Sequence, residues 1–167
     1  FTEEREKDET QLFFVPNYSC NFACSYCYQE GYEPVKQTLN KEIIYAFFEY
    51  IRLEFAGRKK YITVFGGEPL LPGENQRKLI SYFIQKANEA HLDLAFVTNG
   101  YTLTEYIDLL KSARIREIQV TLDGTKNIHD ARRYLKGNHP TFDKIVAGID
   151  ACLEANLEVN LRMVVDK

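Results

Sequence analysis

Three cysteines fall within eight residues, in the run Cys20-Asn-Phe-Ala-Cys24-Ser-Tyr-Cys27. Thiolates are soft ligands and the usual holders of iron–sulfur clusters. From one short loop, this spacing can bring three thiolates to three corners of a cubane. No fourth Cys or His follows before His91, so one iron of a [4Fe–4S] cluster would stay open. An open metal position is a place for a substrate or cofactor, by the logic that separates catalytic from structural zinc sites. The competing assignment is a zinc knuckle or a redox thiol pair. Zinc would want a fourth ligand nearby, and ligand softness and count favour the cluster. Cys152 stands far off, beside Ile149 and Leu153 in a helical stretch, and predicts a buried structural thiol.

The rest of the composition narrows the class. The 167 residues are 45% hydrophobic and 27% charged, enough for one domain with a core of ordinary soluble character. A net charge of −3 gives no basis for a nucleic-acid or anionic-membrane partner. No apolar run reaches the roughly 18 residues of a membrane span. Four cysteines, three of them clustered and none behind a secretion signal, make a poor disulfide framework; a reducing cytoplasm is expected. The first residue is Phe and a strand-like run closes the sequence, which reads as an excerpt of a longer chain.

The elements that must position the cysteines alternate regularly. Residues 1–10 are charged and without hydrophobic period, a lead-in to one domain over 11–167. Apolar runs predict strands at 11–15, 61–65, 93–98, 117–122 and 158–165. Between them lie four helical patterns. The first opens at an Asn40 cap, with Leu39 and Ile44 spaced as a staple, and stops at Gly57. The second covers 74–90. The third opens at Thr102, which with Glu105 has capping-box spacing, and ends near Ala113. The fourth runs from a Thr141 cap to about Ala155. This alternation predicts an α/β fold of right-handed βαβ units, five parallel strands with four outer helices. Five strands do not close a barrel, so further strands are expected to follow and cover the last edge.

Four polar motifs then share one rim. The cysteine loop follows the first strand, Gly66-Gly67-Glu68-Pro69 the second and Thr98-Asn99-Gly100 the third. Thr121-Leu122-Asp123-Gly124 ends the fourth, with His129-Asp130 and Arg132-Arg133 behind it. All lie at the C-terminal ends of expected strands, where parallel α/β folds bind ligands. Gly66 and Gly67 lack Cβ and let backbone approach a ligand closely; a tight turn before Pro69 is the plainer account. Asn99 suits an Asx turn with Gly100 at positive φ as well as it suits a substrate contact, and Asp123-Gly124 has the same ambiguity. His129-Asp130 is placed to orient the neighbouring arginine. Arg162 sits oddly inside a strand, either as a functional charge facing the interior or snorkelling to an end.

These residues together resemble the radical-SAM superfamily, over about residues 11–167. The resemblance implies a partial (β/α) barrel of that type. It implies that Cys20, Cys24 and Cys27 bind the cluster and that S-adenosylmethionine (SAM) chelates the open iron. One electron would then cleave SAM to methionine and a 5′-deoxyadenosyl radical that abstracts hydrogen from a substrate. By position, Gly66, Gly67 and Glu68 match the segment that meets the methionyl ammonium. Tyr26 matches an aromatic residue against the adenine, and Thr121 stands where relatives carry a Ser that contacts SAM. Arg133 matches the arginine that binds the SAM carboxylate, with adjacent Arg132 the alternative; Asn99 is a further cofactor-site candidate. Residues 119–167 resemble the anaerobic sulfatase-maturase group, which includes peptide-modifying enzymes with a C-terminal, cysteine-rich SPASM domain. That likeness predicts a peptide or protein substrate, an electron donor such as a flavodoxin or ferredoxin, and auxiliary [4Fe–4S] clusters beyond Lys167. The alternatives are a radical-SAM enzyme acting on a small molecule in cofactor or nucleotide biosynthesis, and a non-enzymatic iron–sulfur or zinc module.

Overall fold

A computed structural model describes residues 8–29 and 39–165. Most of the expected lead-in, residues 1–7, lies outside the described residues. Five strands form one parallel sheet in chain order: β1 (Thr10–Phe14), β2 (Lys60–Val64), β3 (Asp93–Thr98), β4 (Ile115–Thr121) and β5 (Val159–Arg162). The helices between them are α1 (Lys41–Glu54), α2 (Glu74–Glu89), α3 (Leu103–Lys111), α4 (Lys126–Arg132) and α5 (Phe142–Glu154). The strand count and the parallel sheet are as expected. The helix count among the described residues is five rather than four. The added one, α4, buries only His129, so it leaves no apolar stripe to read.

Alternation along the strands builds the core. Phe14, Ile62, Val64, Leu94, Phe96, Ile118 and Val120 are buried together with the apolar faces of the helices. The densest part is aromatic: Phe83 of α2 stacks on Phe14 of β1 at 4.6 Å between centroids and packs against Phe48 of α1 at 5.1 Å. Fully burying a ring of this size contributes roughly 1.5–3 kcal/mol. Cys152 is wholly buried in α5, and burial pushes its thiol up to about 11, as a structural thiol should behave.

The helix ends only partly follow the sequence. Asn40 caps α1, its Oδ1 accepting from Ile43 N at 2.9 Å. Thr102 makes no side-chain cap; its hydroxyl donates to the Leu70 carbonyl instead and ties α3 to the loop after β2. Thr141 makes none either. Asp130 supplies that service, accepting from Thr141 N at 2.8 Å and Phe142 N at 2.9 Å.

The opposite end of the sheet is fastened just before β1. Glu9 pairs with Arg116 at 2.5 Å, and the Arg116 guanidinium lies 4.2 Å from the Tyr61 ring centroid. β1 and β5 are the two edges among the described strands. β5 stops at Arg162, three residues short of its expected end, because Val164 N–H leaves the ladder and donates to Asp123 Oδ1 at 2.9 Å. Arg162 is exposed, opposite Thr121 in register.

Candidate functional site

The cysteine loop is held on two sides by backbone. On one side Gly67 N donates to Asn17 O at 3.1 Å and Glu68 N to Ser19 O at 2.8 Å, extending the β1–β2 pairing past the sheet. The two glycines are what let these chains meet. A Cβ on Gly67 would stand 2.1 Å from Ser19 O, and one on Gly66 2.6 Å from Asn17 O. The close approach is therefore to the chain's own backbone. On the other side Ala23 N donates to Tyr134 O, Ser25 N to Arg132 O, and Lys136 N to Asn21 O. Phe22, buried at the loop's centre, anchors it, and Cys27 N closes a turn onto Cys24 O at 3.1 Å.

All three thiols are free and half-buried. Burial pushes the Cys24 thiol up to about 11, against the lowering influence of Arg133 and with Cys20 and Cys27 adding to the rise. Burial raises Cys20 as well, opposed first by a bond from Phe22 N. That donor lies 3.4 Å from Cys20 Sγ, and Asn99 Nδ2 lies 3.8 Å from it. Ligation would therefore release protons, and the two donors would then serve a sulfur carrying charge, the kind of contact that tunes a cluster's potential. Among the described residues no three of His, Cys, Asp and Glu converge on one point, as a single ion would need. A cubane distributes its thiolates over separate irons, a demand suited to three free, half-buried thiols on one loop.

Glu68 is wholly buried and faces into the fold. Its Oε1 accepts from Leu70 N at 2.9 Å and Thr98 Oγ1 at 2.6 Å, and its Oε2 from Asn99 N at 2.6 Å. Burial raises its carboxyl while these donors lower it. Glu68 thus ties the loops after β2 and β3 together. Asn99 makes the Asx turn, its Oδ1 accepting from Tyr101 N at 3.0 Å with Gly100 at φ 83. It also turns its amide toward the cysteine loop, donating to Asn21 Oδ1 at 2.8 Å. The anticipated turn is thus made, and the same side chain also reaches the cysteine loop.

Within the cysteine loop, Tyr26 is clasped between the loop after β4 and the end of α4. Its hydroxyl donates to Asp123 Oδ2 at 2.5 Å and accepts from Arg133 Nη1 at 2.7 Å. Burial, then the bond to Asp123, pushes the phenol up to about 12. Arg132 lies 4.9 Å from the Tyr26 ring centroid, with Nε 3.5 Å from Asp123 Oδ2. Arg133 is 7% exposed, and its buried Nε has no hydrogen-bond partner. An orphaned guanidinium N–H costs free energy unless an acceptor arrives, so Arg133 is suited to an anionic ligand. Thr121 ends β4 and is buried at the same rim.

Sequence reasoning missed two parts of this site. Asp123 was ambiguous between a turn and a substrate contact, yet it joins Tyr26, Arg132 and Val164 through one carboxylate. Thr141 looked like a helix cap, yet its hydroxyl donates to Arg133 O at 2.7 Å. Spacing carries no signal for either bond, because both partners come from other elements.

A parallel half-barrel with free thiols, paired glycines and a buried arginine on one rim defines a class. Residues 14–167 match the family model described as the Radical SAM superfamily, and the chain belongs to that superfamily. Among curated proteins, the chain is 34% identical over 151 residues to a GTP 3',8-cyclase of Nautilia profundicola, covering 87% of this chain and 44% of that protein. It is 31% identical over 150 residues to the GTP 3',8-cyclase of Campylobacter jejuni strain RM1221, covering 87% and 43%. The chain thus spans under half the length of these relatives. Among solved structures, one described as native anSMEcpe with bound AdoMet superposes with a TM-score of 0.78 at 22% identity, covering 95% of this chain and 44% of that one. A second, with AdoMet and the Kp18Cys peptide, gives 0.77. At this identity the likeness is one of fold. No helix among the described residues is long and apolar enough to cross a membrane.

Proposed function

We propose that this chain is the cofactor-cleaving part of a radical enzyme whose substrate is a small molecule, with a purine nucleotide such as GTP the first candidate. Cys20, Cys24 and Cys27 would hold a [4Fe–4S] cluster, with SAM against its open iron. When bound, the reduced cluster supplies the electron that cleaves SAM and yields a 5′-deoxyadenosyl radical. The chain's own residues bind and orient. Arg133 offers its orphaned Nε to the methionyl carboxylate; this buried, unpartnered donor is the observation that carries the reading. The 66–68 segment meets the ammonium through backbone carbonyl rather than through the Glu68 carboxylate, which three donors of the fold already occupy. Tyr26 and Thr121 line the adenosyl side, and Asn99 bridges to the cysteine loop. A reducing cytoplasm suits the free thiols, and a flavodoxin or ferredoxin would supply the electron.

The substrate assignment shifts weight from the peptide expected above to the small-molecule alternative, because the two curated relatives described above, at 34% and 31% identity, are GTP 3',8-cyclases. The peptide reading is supported by the maturase-like fold neighbours, one of them holding a peptide. The test uses the full-length, anaerobically reconstituted protein with dithionite and SAM. GTP should raise 5′-deoxyadenosine formation and be consumed in step with it. Stimulation by a cysteine-containing peptide with no response to GTP would reverse the assignment.

A further inference from the structure

His129 is a titratable side chain near the rim that is wholly buried, and nothing in the proposed chemistry uses it. Its ring is wedged at the junction of three elements. Asp123 N, in the loop after β4, donates to Nδ1 at 3.1 Å. Nε2 lies 3.1 Å from Thr141 Oγ1 at the start of α5, and Phe142 packs edge-on at 5.7 Å between centroids. The hydroxyl of Thr141 has one proton, and it goes to Arg133 O at 2.7 Å. Thr141 Oγ1 must therefore accept from the ring. The bonds form one directed chain: Asp123 N–H to Nδ1, Nε2–H to Thr141 Oγ1, and Thr141 O–H to the Arg133 carbonyl. Only neutral imidazole protonated at Nε2 satisfies every link. Asp123 also holds Tyr26, which receives the Arg133 side chain. Both ends of Arg133, backbone and guanidinium, are thus referred to Asp123, one of them through His129.

We infer that His129 is a positioning residue for the anion site at Arg133: as neutral imidazole, with Thr141, it fixes the Arg133 backbone so that the guanidinium meets the SAM carboxylate. This rests on the reading of Arg133 given above. The groups facing the ring are Asp123 from the β4 loop, Asp130 and Arg133 from α4 and its end, and Thr141 and Phe142 from α5. Burial, and next the Arg133 charge, hold the imidazole below its ordinary range, opposed by Asp130 and Asp123. Protonation would aim a second N–H at the Asp123 amide and break the chain at its first link.

The test measures equilibrium SAM affinity of the full-length, cluster-loaded protein, alongside iron content and melting temperature. Thr141→Val keeps the shape and leaves α5 capped, since Asp130 and not the Thr141 hydroxyl caps it. It should weaken SAM by about tenfold, the equivalent of one lost hydrogen bond, with iron content unchanged. His129→Phe should weaken it at least as much, and His129→Gln, which keeps an amide donor toward Thr141, should recover part of the loss. The His129→Phe/Thr141→Val double variant should be no worse than His129→Phe, as expected of one chain. Wild-type affinity should be flat through neutral pH and weaken only on acidification past the lowered range in which the buried His129 takes up a proton, and this acid limb should vanish in His129→Gln. If Arg133→Ala weakens SAM while Thr141→Val and His129→Phe bind it like wild type, the inference is overturned and the role of Arg133 stands. If Arg133→Ala also binds SAM normally, both fall.

Discussion

Gly67→Ala is the sharpest perturbation of the cysteine loop. The added methyl would stand 2.1 Å from Ser19 O and 2.6 Å from Ser19 C, backbone atoms with no flexible end to swing aside. Relief requires residues 17–19 to move away from 66–68. That motion breaks the two bonds that bind them, Gly67 N to Asn17 O and Glu68 N to Ser19 O. Each is worth about 0.5–1.5 kcal/mol net, and residual overpacking adds about 1–3 kcal/mol, so the loss should be roughly 2–6 kcal/mol. Gly57→Ala is the control. Gly57 has positive φ, 73°, and nothing within 4 Å of an added Cβ, so only left-handed strain applies, about 1–2 kcal/mol. Urea denaturation compares the two, and iron per chain after anaerobic reconstitution reads the site. Gly67→Ala should be clearly the less stable of the pair and should load less iron, because the segment carrying Cys20 has shifted. Equal stability of the two variants, with equal iron, would refute the backbone-docking role assigned to Gly67.

Other outcomes follow from the same geometry. Tyr26→Phe removes a donor to Asp123 and an acceptor from Arg133, and should destabilise by about 1–3 kcal/mol while weakening SAM binding, as followed by thermal melts and equilibrium dialysis. Asp130→Ala uncaps α5 and should cost about 0.5–2 kcal/mol in urea titration with little change in iron content. In cluster-free protein, alkylation mapped by mass spectrometry should label Cys20, Cys24 and Cys27 well before buried Cys152. His129 also links stability to pH. Its folded pKa is lowered, so the unfolded chain binds the proton more readily as pH falls below about 6.5. Its stabilising contribution should be complete above that pH and be lost going down, and the acid-side slope of unfolding free energy should flatten in His129→Gln.

The sheet and its order were legible because strand and helix periods alternate cleanly and every apolar strand feeds one core. The cysteines were legible because ligand type and spacing are local facts. Asn99 was legible as a turn for the same reason: an Asx bond spans two residues. What stayed hidden was long-range. Glu68 was legible only by its place after the glycines; that its carboxylate closes on Thr98 and Asn99 across about thirty residues of chain was not. Thr102 and Thr141 have cap-like spacing, but nearby carbonyls of other elements take their hydroxyls. The helix α4 was hidden because a polar ring, rather than an apolar stripe, is its buried face.

The most direct test of the central claim is 5′-deoxyadenosine released from SAM by the full-length protein, reconstituted anaerobically with iron and sulfide and then reduced. The wild type should release it well above background, and a Cys24→Ala variant should not. Release at the variant's level from a wild type shown to carry its cluster would contradict the assignment of Cys20, Cys24 and Cys27 as the site of SAM cleavage.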